Sequence, residues 1–191
     1  MTMRAICAVA ALAATPALAE GWTVDSAAST FGFASIKNGD IAETHEFGAL
    51  SGGVAADGSA EIAISLASVE TRVDIRDERM RDVLFDVATF PLAHVRAQVD
   101  VKGYADMSVG GRSAAETEVA VEANGVEARY DAILNVTRVA EDLVSVSAAE
   151  PIMVDARDFG YGAGIERLRD LAGLDSISTV VPITFDIMLT R

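Results

Sequence analysis

Residues 116–136 read ETEVAVEANGVEARYDAILNV and contain the clearest hairpin of the chain. Apolar and polar residues alternate on both sides of Asn124-Gly125, a dipeptide that favours the type I′ turn of a two-residue hairpin. Alternation with a period of two directs one face of each strand towards a core and the other towards solvent. The stretch therefore predicts two antiparallel strands and makes an all-β fold the starting hypothesis.

The same alternation recurs in both directions from this hairpin. Turn signals such as Asn38-Gly39 and Asp57-Gly58 separate the alternating segments. About eight strands with regularly spaced turns predict an antiparallel eight-stranded barrel or a sandwich. The further strands are predicted around Phe31–Phe33, Ile41–Phe47, Ser59–Val69, Val95–Val101, Val144–Val146 and Val181–Leu189.

Two short helical segments interrupt the strands. Met80, Val83, Leu84 and Val87 recur at the spacing of one helix face, and Ile165, Leu168 and Leu171 repeat that spacing later in the chain. We expect the first segment to lie across one end of the barrel as a plug.

The run Arg76–Asp82 is almost entirely charged and has three interpretations. It is a solvated helix face, a partly buried ion-pair network that holds the helix over the barrel, or an acid–base site. Arginine is a poor base but a good partner for a carboxylate. We therefore favour a structural clamp around Arg76 and Asp77.

The first 19 residues have the pattern of a secretory signal peptide. Arg4 precedes an apolar run, and Ala17-Leu18-Ala19 has the small residues that signal peptidase requires. We expect cleavage after Ala19, a mature domain over residues 20–191 and a periplasmic location. No run of about 18 apolar residues follows that would span a bilayer.

Composition excludes several classes of partner and site. The chain of 191 residues has 29 acidic against 15 basic residues and a net charge of −14, which disfavours nucleic acid as a partner. Its one cysteine, Cys7, lies in the predicted signal peptide, so no disulfide or thiolate metal site is expected.

No catalytic, metal or cofactor motif is present in the sequence. It has no G-x-S-x-G elbow, phosphate loop or dinucleotide fingerprint. His45-Glu46 resembles the start of a zinc-protease motif, but Ala49 stands where the second histidine would be. His45 shares a face with Phe47 and is either a lumen residue that meets a ligand headgroup or a solvated rim residue, which we favour. His94 falls on a polar face and is expected to meet solvent.

The inward faces define a set of candidate ligand-binding residues. Small residues such as Ala97, Ala128 and Ala132 lie among β-branched neighbours, so the lumen has room for a long, thin apolar ligand. Periodicity alone equally fits an ordinary filled core. The candidate lumen residues are Phe31, Phe33, His45, Phe47, Ile64, Ala97, Tyr130, Ala132, Leu134 and Phe185.

Several motifs together resemble those of the YceI family. They are Trp22-Thr23-Val24-Asp25 with Ser29 and Phe31, the segment Phe47–Gly53, the set Ser68, Thr71, Arg76, Asp77, Met80 and Arg81, then Phe85-Asp86-Val87, Phe90-Pro91, Gly125-Val126 and Asp158-Phe159-Gly160.

The resemblance implies an exported lipocalin-like barrel that binds an isoprenoid lipid, of the quinone or polyprenyl type, in an apolar lumen without catalysing a reaction. Two other functions stay open: an enzyme that acts on such a lipid, and a stress or assembly factor with a filled barrel. The sequence also leaves open whether the chain forms a homodimer.

Overall fold

The computed structural model describes residues 21–191, so the predicted signal peptide lies outside the described residues. The strands are β1 (Trp22–Val24), β2 (Thr30–Lys37), β3 (Ile41–Phe47), β4 (Leu50–Val54), β5 (Ser59–Ser65), β6 (Val69–Glu70), β7 (Leu92–Gln98), β8 (Arg112–Ala123), β9 (Val126–Ala140), β10 (Leu143–Ala148), β11 (Ile152–Asp155) and β12 (Val180–Thr190). The helices are α1 (Asp74–Arg79), which continues as a π-helical turn (Met80–Leu84), α2 (Val101–Ala105) and α3 (Gly162–Ala172). Short 3₁₀ turns cover Leu66–Ser68 and Ala156–Phe159.

These segments form a closed antiparallel barrel of eight strands. Four of the eight are interrupted, because β1 and β2, β3 and β4, β5 and β6, and β10 and β11 follow each other along the same course. Each barrel strand pairs with the next one in sequence, and β12 pairs back with both β1 and β2. Closure removes the unpaired edges that an open sheet would expose, and the predicted barrel is confirmed.

The hairpin at residues 116–136 is confirmed in its predicted register. Strands β8 and β9 pair from Arg112 opposite Thr137 to Ala123 opposite Val126. The two turn residues between them, Asn124 and Gly125, have φ values of 53° and 73°. Both lie in the left-handed region that a type I′ turn requires.

Helices α1 and α3 lie at the same end of the barrel. In an up-and-down barrel the connections alternate between the two ends. The connections β6–β7, which carries α1, and β11–β12, which carries α3, therefore share an end with the β2–β3 and β8–β9 turns. A Cβ added at Gly164 would lie 3.1 Å from Cδ1 of Leu84, so glycine allows α3 to approach the π turn closely. We call this the helix-covered end.

Two strands end earlier than the sequence predicts. Residues 66–68 leave the predicted strand as a 3₁₀ turn, and Val101 begins α2 instead of continuing β7. The Asp100 side chain accepts a hydrogen bond from the backbone N–H of Gly103 at 3.0 Å, and this cap competes with strand pairing. The predicted strand over 99–101 was therefore wrong.

Candidate ligand-binding cavity

A cavity of about 450 Å³ occupies the helix-covered end of the barrel. Its volume falls within the roughly 300–1,000 Å³ that is typical of small-molecule sites. The wall is mainly apolar, and its aliphatic residues come from both the strands and the helices. The aromatic residues of the wall are Phe31, Phe33, Phe47, Phe85, Phe159, Tyr161 and Phe185.

Strand alternation builds the aromatic part of the wall. Phe31 and Phe33 face inward from β2 because Gly32 takes the outward position between them. The ring of Phe31 stacks on that of Phe185, with centroids 6.1 Å apart and planes 6° apart. It also meets Phe47 at 6.3 Å, so three neighbouring strands share one aromatic surface.

Six of the ten candidate lumen residues line this cavity: Phe31, Phe33, His45, Phe47, Ile64 and Phe185. The other four are not part of its wall. Ala132 and Leu134 form a buried cluster with Val119, which also lines the cavity, and Ala97 and Tyr130 pack against that cluster. Alternation identifies the inward face of a strand but not the position along the barrel axis, and these four side chains lie outside the cavity wall.

The helices supply wall residues that the candidate set lacks. Met80, Leu84 and Phe85 come from the π turn and the residue after it, and Ile165 and Leu168 come from α3. The helical spacing of apolar residues in both segments is the sequence signal that could have identified these wall residues. This spacing indicates a buried helix face but does not show which cavity that face lines.

His45 is a buried wall residue, and the prediction of a solvated rim position was wrong. It is 4% exposed, and its ring lies 5.1 Å from that of Phe33. Nε2 is 2.8 Å from the hydroxyl of Ser35, whereas Nδ1 is buried without a hydrogen-bond partner among the described residues. Burial, helped by the positive charge of Arg76, lowers the pKa of His45, so the ring is neutral at neutral pH.

Charged side chains line the cavity beside α1. We call Lys37, Glu43, Arg76 and Arg79 the charged rim. A carboxylate oxygen of Glu43 lies 2.8 Å from Nζ of Lys37 and 2.7 Å from Nη1 of Arg76. The hydrogen bond from Lys37, together with that from Arg76, lowers the pKa of Glu43 despite its partial burial.

Arg76 and Asp77 converge on Thr71, which precedes α1. Arg76 donates from Nε to the Thr71 hydroxyl at 2.8 Å and from Nη2 to the Thr71 carbonyl at 2.6 Å. Asp77 is 5% exposed, and its carboxylate accepts hydrogen bonds from the Thr71 backbone N–H at 2.9 Å and from the Thr71 hydroxyl. Together with the Arg76–Glu43 pair, these contacts join α1 to the end of β6 and to β3.

Tyr161 is the second polar residue buried in the wall. Its ring meets Phe85 at 5.7 Å in an edge-on arrangement and Phe159 at 6.5 Å. Its hydroxyl is buried and has no hydrogen-bond partner among residues 21–191. Burial raises the pKa of Tyr161 to about 12, so the hydroxyl stays protonated.

Tyr130 instead stabilises the turn that leads to Tyr161. Its hydroxyl donates to the Asp158 carboxylate at 3.0 Å, and the side-chain amide of Asn124 donates to the Phe159 carbonyl at 2.8 Å. Burial and the bond to Asp158 raise the pKa of Tyr130. Both contacts tie the 3₁₀ turn before Tyr161 to the β8–β9 hairpin.

The described residues offer no constellation for metal binding. Within residues 21–191, no three His, Cys, Asp or Glu side chains are grouped so that they could hold a metal ion. His94 lies on the outer face, as predicted, with Nδ1 2.9 Å from a carboxylate oxygen of Glu61. None of the helices in this range is long and apolar enough to span a bilayer.

Comparison of the sequence with models of known protein families gives a match. The family model of the YceI-like domain matches residues 22–189. This chain belongs to the YceI-like family. The family resemblance noted from the sequence motifs is thereby confirmed.

Two solved structures are similar to this YceI-like protein. A polyisoprenoid binding domain from Saccharophagus degradans, implicated in plant cell wall breakdown, is 38% identical, with a TM-score of 0.87 over 89% of this chain and 98% of that chain. BcnA from Burkholderia cenocepacia is 19% identical, with a TM-score of 0.67 over 86% of this chain and 98% of that chain, a likeness of fold alone. No curated protein matches the chain.

Proposed function

We propose that this YceI-like protein binds an isoprenoid lipid, of the quinone or polyprenyl type, in the cavity at the helix-covered end. It stores or carries this lipid in the periplasm without changing it chemically. The periplasmic location depends on the predicted signal peptide at residues 1–19.

The observation that carries the proposal is the cavity itself. The interior of a barrel with few strands is usually filled by its own side chains. Here Val119, Ala132 and Leu134 form a small buried cluster, yet about 450 Å³ remains open beside it at the helix-covered end. Removing an isoprenoid tail from water is favourable by roughly 25 cal/mol per Å² of apolar surface, and an aliphatic and aromatic wall suits such a tail.

The similarity to the Saccharophagus degradans domain supports the same ligand class. That protein is a polyisoprenoid binding domain, and it is 38% identical to this chain over nearly its whole length. Binding without catalysis is the simplest function of such a cavity. Its buried polar groups are His45 and Tyr161. The Ser35 hydroxyl lies 2.8 Å from Nε2 of His45, but no carboxylate of the described residues orients the ring through Nδ1, as the base of a nucleophile–base pair would require.

Mass spectrometry of protein exported by its own host tests the proposal. Native spectra should show a bound species, and organic extraction should release an isoprenoid of the same mass. Incubation with the extracted lipid should return it unchanged, whereas a modified product would favour the lipid-modifying enzyme. Protein that carries no lipid after export and takes up none when it is added would contradict the proposal.

A further inference from the structure

Two buried side-chain polar atoms in residues 21–191 have no hydrogen-bond partner, and both belong to residues that line the same cavity. They are Nδ1 of His45 and the hydroxyl of Tyr161. Buried polar groups in folded proteins are nearly always paired, because an unpaired one costs free energy. Orphan atoms on the wall of one apolar cavity therefore indicate that a ligand completes their hydrogen bonding.

Of these two residues, Tyr161 has the larger deficit of hydrogen bonds. His45 keeps one hydrogen bond, between Nε2 and the Ser35 hydroxyl, but the only polar atom of the Tyr161 side chain has none. Tyr161 is 8% exposed, and its ring packs against those of Phe85 and Phe159. A purely hydrocarbon tail beside this hydroxyl would leave it unsatisfied.

The cationic side chains of the charged rim already have hydrogen-bond partners, which disfavours an anionic partner for Tyr161. Arg76 already uses Nε, Nη1 and Nη2 in hydrogen bonds, and Lys37 donates to the same Glu43 carboxylate that Arg76 binds. Arg79 donates from Nη1 to the carbonyl of Leu171. A phosphate beside Tyr161 would be buried among aromatic rings without a dedicated cation, which is costly.

We propose that the Tyr161 hydroxyl donates a hydrogen bond to a neutral oxygen atom of the bound lipid, so that the oxygen-bearing end lies inside the cavity beneath α3 instead of at the charged rim. This deepens the proposed function and rests on it. It makes Tyr161 a specificity-determining residue for an isoprenoid with a hydroxyl or carbonyl group. The raised pKa of Tyr161 keeps the phenol a donor across the physiological range.

The test uses Tyr161→Phe and three probes: geranylgeraniol, the hydrocarbon that lacks its hydroxyl, and geranylgeranyl phosphate. Dissociation constants are measured on delipidated protein by competition with a fluorescent fatty ligand. Tyr161→Phe should weaken binding of geranylgeraniol about tenfold and leave binding of the hydrocarbon unchanged or tighter. The wild-type protein should bind the phosphate no more tightly than the alcohol.

Tyr130→Phe is the matched control, because it removes the same hydroxyl from a tyrosine that bonds Asp158 and does not line the cavity. It should destabilise the fold while leaving all three dissociation constants within twofold of wild type. Equal effects of Tyr161→Phe on alcohol and hydrocarbon, or clearly tighter binding of the phosphate by wild type, would overturn this inference alone. Failure of wild-type protein to bind any of the probes would overturn the proposed function with it.

Discussion

Nη1 of Arg76 lies 2.7 Å from a carboxylate oxygen of Glu43, and this ion pair joins α1 to strand β3 across 33 residues of sequence. Both side chains are also part of the charged rim of the cavity. Arg76 bonds Thr71 as well, and the neighbouring Asp77 binds the same threonine from the buried side. We propose that Arg76 and Asp77 act as the clamp that holds α1 over the cavity.

Substitution of Arg76 by alanine should destabilise the protein by about 2 kcal/mol. The Arg76 side chain is 28% exposed, so the loss should lie between the roughly 0–1 kcal/mol of an exposed pair and the roughly 3–5 kcal/mol of a buried one. Chemical denaturation measures the change. Arg129→Ala removes an equally close but exposed pair with Glu118 and should change the free energy of unfolding little. Equal effects of the two variants would assign Arg76 to a solvated face.

The pH dependence of stability should report the burial of His45. Burial and the charges of Arg76 and Arg72 lower its pKa in the folded state, against the opposing charges of Glu43 and Asp77. An unfolded histidine takes up a proton below about pH 6.5 while the buried ring stays neutral. The stability that His45 contributes is therefore present above about pH 6.5 and is lost as the pH falls towards the lowered pKa.

Urea unfolding between about pH 7 and pH 5.5 measures this effect. His45→Gln should flatten the fall in stability, because it removes the group that protonates in the unfolded state. His94→Gln changes a histidine on the outer face and should retain the fall. If the His45 variant shows the same dependence of stability on pH as the wild type, the pKa of the ring is not lowered by folding.

Sequence patterns predicted the barrel, but only part of the cavity. Period-two alternation identified the inward faces, and the turn dipeptide Asn124-Gly125 fixed the register of the longest hairpin. Alternation carries no information on the position along the barrel axis, so Phe47 and Ala132 were equivalent in sequence although only Phe47 lines the cavity. Depth is decided by barrel closure and by which connections carry helices.

The roles of His45 and Tyr161 were hidden for a related reason. Polar residues near strand ends or in turns are usually exposed, and a single sequence does not show which of them a neighbouring helix covers. His45 is buried beside the α1 clamp, and the ring of Tyr161 is buried against Phe85, which follows the π turn. Both depend on contacts between segments far apart in the chain.

Export should remove the first 19 residues. The intact mass of protein from a periplasmic extract should correspond to a chain that begins at Glu20. Ala19→Arg places a charge directly before the predicted cleavage point and should leave unprocessed precursor. Full-length protein recovered from the inner membrane of wild-type cells would overturn both the cleavage site and the periplasmic location.

Tryptophan placed at two buried alanines, one inside and one outside the cavity wall, should have different consequences. Ala93 lines the cavity, so Ala93→Trp should project into it and exclude the lipid, with only a small loss of stability in delipidated protein. Ala132 is equally buried but lies outside the cavity wall, in the buried cluster with Val119 and Leu134. Ala132→Trp should overpack that cluster and cost about 1–3 kcal/mol or more.

The measurement pairs the denaturant midpoint of delipidated protein with the lipid content of protein exported from the same host. Lipid should be absent from Ala93→Trp protein, whereas any Ala132→Trp protein that folds should retain it, since Ala132 is not part of the cavity wall. Phe47→Leu keeps the wall apolar and serves as a milder substitution inside the cavity. Strong destabilisation by Ala93→Trp, with lipid still bound, would mean that the lipid occupies another surface and would refute the cavity as its site.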